Sequence, residues 1–221
     1  MPGAPSKASV LFDLAVSASE VYGGSWLEGG GAVWAENQVL RWLADLAGMP
    51  AGAGGCFVSG GTAGNLSALV AARHAATAAR RGERPRRWQV ACADTVHSSV
   101  ASAARVMDVD LLTILHDERG RLTGSALSSA LDRTQPDGAF AVVASAGSTN
   151  AGMVDDLEGL AAVCRDRGLW LHVDGAYGGA GLLAPSVRDR FRGIEHADSL
   201  IVDPHKWLFA PYDSCALVYR D

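Results

Sequence analysis

From residue 51 onward the chain alternates short apolar, β-rich runs with longer runs at helical spacing, and this alternation restricts the fold more than any other feature. Residues 56–59, 88–93, 109–115, 140–145, 169–173, 199–202 and 215–219 read as seven strands. Helical patterns at 62–81, 97–107, 124–133 and 156–167 lie between them. Helices of ten or more residues are long enough to carry the crossover between parallel neighbours. Strands such as "AFAVVAS" and "SLIV" are apolar almost throughout, as in a sheet covered on both sides. The expected class is therefore α/β, with a mostly parallel seven-stranded sheet and helices on both faces. Upstream, "AVWAENQVLRWLADLA" (32–47) has apolar residues at helical spacing, with Gly48 as the stop and Pro50 beyond. Residues 1–50 accordingly read as an N-terminal helical arm and 51–221 as one large domain.

Composition excludes several partners. A formal charge of −5 gives no basic footprint for nucleic acid or an anionic membrane. The one basic run, 80–87 ("RRGERPRR"), reads as a solvated helix end and loop. Cys56, Cys92, Cys164 and Cys215 are far apart, form no C-x-x-C pair and sit among apolar residues, which fits reduced core thiols. The start "MPGAPSKASV" has no apolar leader, and no apolar stretch approaches the roughly 18 residues that span a bilayer. The expectation is a soluble, cytoplasmic protein.

Ligands of open α/β sheets bind at the carboxyl ends of the strands. Five polar groups follow predicted strands here: Gly60-Gly61-Thr62, His97, Ser148-Thr149-Asn150, Asp174, and Asp203-Pro204-His205-Lys206. "SGGTAGN" opens a helix, whose free N–H groups and partial positive charge suit a phosphate, while glycines allow close approach. The alternative is a plain glycine turn with Thr62 as the helix cap. The segment is neither a dinucleotide fingerprint, because Ser59 replaces the first glycine, nor a Walker loop, because no lysine follows. Asp174 needs a cation or a hydrogen-bond cage if it faces a dry cleft, or else it caps the following turn. His172, two residues earlier, reads as a satisfied core histidine, and His116 as solvent-facing. A metal set of His97, His172, Asp174, Asp203 and His205 lacks ligand spacing and leaves Lys206 and the glycine loop unused. A phosphate cradle, a carboxylate, a histidine and a lysine on one rim instead match the needs of pyridoxal 5'-phosphate.

Four ordered blocks, "GCFVSGGTAGNLSALVAAR", "DTVHSSVASAARVM", "HVDGAYGG" and "ADSLIVDPHKWLFAPYDSCAL", resemble the group II pyridoxal-phosphate-dependent amino-acid decarboxylases. That group includes aromatic-L-amino-acid, glutamate and diaminobutyrate decarboxylases. The resemblance implies a fold type I large domain, like that of aspartate aminotransferase, and a homodimer clasped by N-terminal segments. It matches Lys206 to the Schiff-base lysine, Asp174 to the carboxylate under the pyridine nitrogen and His97 to the stacked histidine. Ala176 matches the small residue on the opposite ring face, and Gly60, Gly61 and Thr62 the phosphate loop. His205 matches the phosphate-side histidine and Thr149 a hydrogen-bonding threonine near the ring. Asp203 stands where animal aromatic decarboxylases carry asparagine, so a phosphate contact there would meet a like charge. Gly175 replaces a frequent alanine.

The implied reaction is decarboxylation of an L-amino acid to its amine and CO₂. Members of the family run to roughly twice this length and end in a small α/β domain that these 221 residues do not include. Two alternatives stay open on the sequence: a cofactor-binding, dimerising remnant without turnover, and another fold type I activity such as transamination.

Overall fold

A computed structural model describes residues 3–81 and 83–221; Met1, Pro2 and Gly82, the last within the basic run, lie outside the described residues. Seven strands form one sheet: β1 (Gly54–Val58), β2 (Gln89–Ala93), β3 (Asp110–Ile114), β4 (Ala139–Ser145), β5 (Trp170–Asp174), β6 (Ser199–Val202) and β7 (Cys215–Tyr219). Their order is β1-β7-β6-β5-β4-β2-β3. Every pairing from β6 through β3 is parallel, whereas β7 runs antiparallel to both β1 and β6. The reversal follows from the connection: β7 returns from β6 through residues 203–214 without a crossover helix. The α/β expectation holds.

Period two along the strands divides the core. Ala91, Val142, Leu171, Val173, Leu200 and Val218 pack on one side with α2 (Trp26–Leu46), α5 (Gly124–Thr134) and α6 (Leu157–Arg167). Val90, Cys92, Ala141 and Val143 pack on the other with α3 (Gly61–Ala79) and α4 (Ser98–Met107). Helices therefore cover both faces.

The N-terminal region differs from its sequence reading. A further helix, α1 (Lys7–Ser19), lies within the helical arm but outside the 32–47 pattern, and it buries no residue. Helix α2 begins at Trp26 rather than at 32: Ser25 caps it, and it runs through Gly29, Gly30 and Gly31 with Gly29 off helical geometry. Glycines are poor helix formers, so sequence pattern alone places the start after them. The C-terminal half of α2 delivers Leu40, Leu43 and Ala44 to the core. Of the four thiols, Cys92, Cys164 and Cys215 are buried as expected, but Cys56 is exposed. It lies on β1, which pairs with β7 at the edge of the sheet, so one apolar-flanked position faces out.

Candidate active site

Strands β1, β2, β4, β5 and β6 all point the same way, so the residues after them share one rim. Gly60, Gly61, Thr62, His97, Thr149, Asp174, Ala176, His205 and Lys206 all line a single cleft of about 1130 Å³ on that rim. Asp203, Asn65, Ser145, Tyr177 and Tyr212 line it as well.

Beyond β1 the chain turns at Gly60 (φ 143°), a conformation that side chains disfavour, and enters α3 at Gly61. Gly60, not Thr62, is the N-cap, and no side chain caps this end. The first N–H groups of α3 therefore have no side-chain acceptor among the described residues and open on the cleft. A Cβ on Gly61 would stand 3.2 Å from both Ala176 Cβ and Asp203 Oδ2, so the turn lies tight against the cleft floor.

Asp174, the last residue of β5, has the hydrogen-bond cage that its burial requires. Oδ2 accepts from Asn65 Nδ2 (2.9 Å) and Oδ1 from the Ala176 amide (3.1 Å). Asn65 also donates to Ser99 Oγ (2.9 Å) and meets His172 Nε2 through its own Oδ1 (2.8 Å). His172 Nδ1 contacts Ser199 Oγ (2.8 Å), to which Trp170 Nε1 donates (2.8 Å). His172 is fully buried and bonded at both nitrogens, as a core histidine should be. Burial drives its pKa down to about 4, against the raising effect of the Asp174 carboxylate, so the ring is neutral.

His97 is the N-cap of α4, and its Nδ1 accepts from the Ser99 amide (3.3 Å) and meets Ser99 Oγ (2.8 Å). Its other nitrogen is left for the cleft. Thr149 sits on the exposed loop at the mouth.

The loop after β6 carries the lysine. Lys206 Nζ pairs with Asp203 Oδ2 at 2.9 Å; the Asp203 side chain is almost fully buried and that of Lys206 mostly so. Asp203 Oδ1 is buried with no hydrogen-bond partner among the described residues. Burial, followed by the charge of Asp203 beside it, pushes the Cys215 thiol well above its ordinary value. His205 Nε2 is 3.7 Å from Asp203 Oδ2, and its ring packs edge-on against Tyr212 with centroids 4.8 Å apart.

Asn65, Ser99, Ser199 and Asp155 escaped the sequence reading. Asn65 carried a signal: Gly64, Asn65, Ala68, Leu69 and Ala72 form the buried stripe of α3, and a polar residue in such a stripe needs partners. Asp155 is buried and accepts from the amides of Ser145 (2.7 Å) and Leu122 (2.8 Å), tying the end of β4 to the loop before α5. Burial raises its pKa to about 6.

Known proteins resemble the chain along its whole length. The family model described as the pyridoxal-dependent decarboxylase conserved domain matches residues 1–221. An aromatic-L-amino-acid decarboxylase of Bacillus atrophaeus is 39% identical over 99% of this chain and 46% of its own length. Among solved structures, the glutamate decarboxylase domain of a Vibrio parahaemolyticus protein, diaminobutyrate-pyruvate transaminase and L-2,4-diaminobutyrate decarboxylase, superposes with TM-score 0.93. It is 29% identical over 100% of this chain and 50% of that one. Oryza sativa TDC, solved with PLP and tryptamine, gives 0.90 at 30% identity, over 99% of this chain and 48% of that one. The chain spans about half the length of the relatives it matches. With its whole length matched and its polar residues gathered at one rim, the chain belongs to the pyridoxal-dependent decarboxylase family.

Proposed function

We propose that the chain binds pyridoxal 5'-phosphate through Lys206 and serves the decarboxylation of an L-amino acid to its amine and CO₂. The observation that carries this reading is the convergence on one cleft of a lysine amine, a caged carboxylate and a helix end without a side-chain cap. These residues fit the cofactor. Gly60, Gly61 and Thr62 present backbone N–H groups to a phosphate, and Asp174 offers a carboxylate to a ring nitrogen. His97 and Ala176 supply a flat side chain and a small one, while His205 and Thr149 add polar contacts. When bound, pyridoxal phosphate supplies the electron sink that lets an α-carboxylate leave as CO₂. Within the chain, Asp203 holds the Lys206 ammonium in place. The Asn65 bond keeps Asp174 facing the cleft as an acceptor.

The same reading takes residues 51–221 as the cofactor domain and 1–50 as an arm that joins two copies in a homodimer. Supporting this, α1 exposes Leu11, Phe12, Leu14 and Val16, and α2 exposes Trp26, Leu27 and Trp34. Free thiols at all four cysteines fit a cytoplasmic setting. None of the described helices is long and apolar enough to cross a membrane.

The test is to load the chain with pyridoxal phosphate, reduce with borohydride and map the pyridoxyl group by peptide mass, with Lys206→Ala alongside. Label on Lys206 in the wild type and its loss in the variant are expected. Label elsewhere, or none, refutes the assignment. Acidic, aromatic and diamino acids are then assayed for CO₂. Labelling without CO₂ from any of them would identify a cofactor-binding unit without turnover.

A further inference from the structure

Asn65 lies at the centre of a hydrogen-bond chain whose direction can be worked out atom by atom. Trp170 Nε1 can only donate, and the Asp174 carboxylate can only accept, so the two ends are fixed. Asn65 must turn its NH₂ group toward Asp174, because the flipped amide would set its carbonyl oxygen against a carboxylate. Its Oδ1 then faces His172, whose Nε2 must carry the hydrogen, leaving Nδ1 to accept from Ser199. The second Asn65 N–H goes to Ser99 Oγ. Ser99 is thereby left with its own hydroxyl hydrogen to give, and it gives it to His97 Nδ1. The Ser99 amide, which can only donate, points at the same nitrogen. His97 must therefore carry its hydrogen on Nε2, the atom left for the cleft.

We infer that Asn65 is a positioning residue that sets the Asp174 carboxylate and, through Ser99, the His97 tautomer as a single unit. One buried amide, 1% exposed, bonds to groups on β5 and α4 at once. Side chains from two faces of the cleft are oriented before any ligand arrives, which lowers the ordering cost of binding. The inference rests on the reading of Asp174 and His97 as cofactor contacts, but its first test needs no cofactor.

Two-bond ¹H–¹⁵N correlation spectra of the ¹⁵N-histidine-labelled chain report the tautomer of each ring. In the wild type at pH 7.5, His97 and His172 are both expected as Nε2–H. Ser99→Ala removes the 2.8 Å hydroxyl bond and leaves only the 3.3 Å amide on His97 Nδ1, so it should shift the His97 Nδ1 resonance and leave His172 unchanged. Asn65→Leu should release His172 and shift the His97 Nδ1 resonance, and should weaken pyridoxal phosphate binding about ten-fold or more in an absorbance titration. Ser99→Ala keeps the test decisive even if Asn65→Leu does not fold. An Nδ1–H tautomer at His97 in the wild type overturns the inference. So does an unchanged His97 in a folded Ser99→Ala protein, or undiminished cofactor affinity in a folded Asn65→Leu protein. A wild type that shows both expected tautomers yet binds no cofactor overturns the proposed function and leaves the Asn65 network standing.

Discussion

Replacing His172 with glutamine should make the fold resist acid. The wild-type imidazole is neutral and fully buried, its pKa driven from an ordinary 6.5 to about 4 by desolvation, with the Asp174 carboxylate opposing. A folded-state pKa below the unfolded one means that the unfolded chain binds the proton more tightly. The stability held by neutral His172 is therefore intact above pH 6.5 and lost as pH falls toward 4. At about 1.4 kcal/mol per pH unit over that interval, the loss is capped at about 3 kcal/mol, and at pH 5 it reaches about 2 kcal/mol. Glutamine keeps an N–H for Asn65 Oδ1 and does not titrate, so its fixed cost is independent of pH. Urea unfolding at pH 7.5 and pH 5, at one protein concentration, reads the difference. With a slope of about 2 kcal/mol/M, the wild-type midpoint should drop about 1 M further than that of His172→Gln. Asp155 titrates in the opposite sense, but it does so in both proteins and cancels. Equal drops in the two proteins would refute a neutral, desolvated His172.

Asp203→Asn removes the anion beside the turn at residues 60–62, the proposed phosphate site, and should tighten binding of inorganic phosphate and of pyridoxal phosphate, measured by titration. The same change leaves Lys206 without its partner and should lower stability by about 1–2 kcal/mol, less than a fully buried pair would because Lys206 keeps some contact with solvent. Gly64→Ala would set a methyl 2.8 Å from Ile201 Cγ2 and 3.0 Å from Cys215 Sγ. Urea unfolding should show a net loss of about 1–2 kcal/mol despite the better helix former; a gain would contradict that contact. Asp155→Ala strands the buried amides of Leu122 and Ser145 and should cost about 2–4 kcal/mol. Because the folded pKa of Asp155 is raised to about 6, its contribution is full at acid pH and lost as pH rises through 6. The measured penalty should thus be about 1 kcal/mol larger at pH 5 than at pH 7.5.

The rim of the site was legible because its signals are local: an apolar run ends and a polar residue follows within a few positions. Gly60, His97, Asp174 and Lys206 all follow that rule, and all nine predicted residues line one cleft. Asn65 does not follow it. Its partners come from β5 and α4, up to 109 residues away, and no local pattern announces a partner at that range. The orientation of β7 was equally nonlocal, since a five-residue apolar strand looks the same in either direction. Within the helical arm, the bounds of α1 carry no such signal. Its apolar residues are buried by nothing among the described residues, so they form no one-sided stripe of the kind that marks a core-facing helix.

The exposed arm and the lysine are physically connected. Gly3 N donates to the His205 carbonyl (3.0 Å) and Ser6 N to the Phe209 carbonyl (2.9 Å), and Ser9 Oγ bonds the same Phe209 oxygen (3.0 Å). These bonds bracket Lys206. Segment 205–209 otherwise leaves β6 as loop, with Trp207 and Phe209 exposed and Phe209 at a positive φ of 55°. A loop with few buried apolar contacts opens at low free energy. An arm that buries no residue of its own can steady that loop only as far as the arm itself is steadied. A partner that covered Leu11, Phe12 and Leu14 on α1 would therefore also steady segment 205–209, through three hydrogen bonds to carbonyls on either side of Lys206. The caged carboxylate of Asp174 needs no such help, because Asn65 and the Ala176 amide fix it from within the core. The residues proposed to contact the cofactor thus divide into Asp174, held by bonds within the core, and the segment around Lys206, held in part by bonds to the exposed arm.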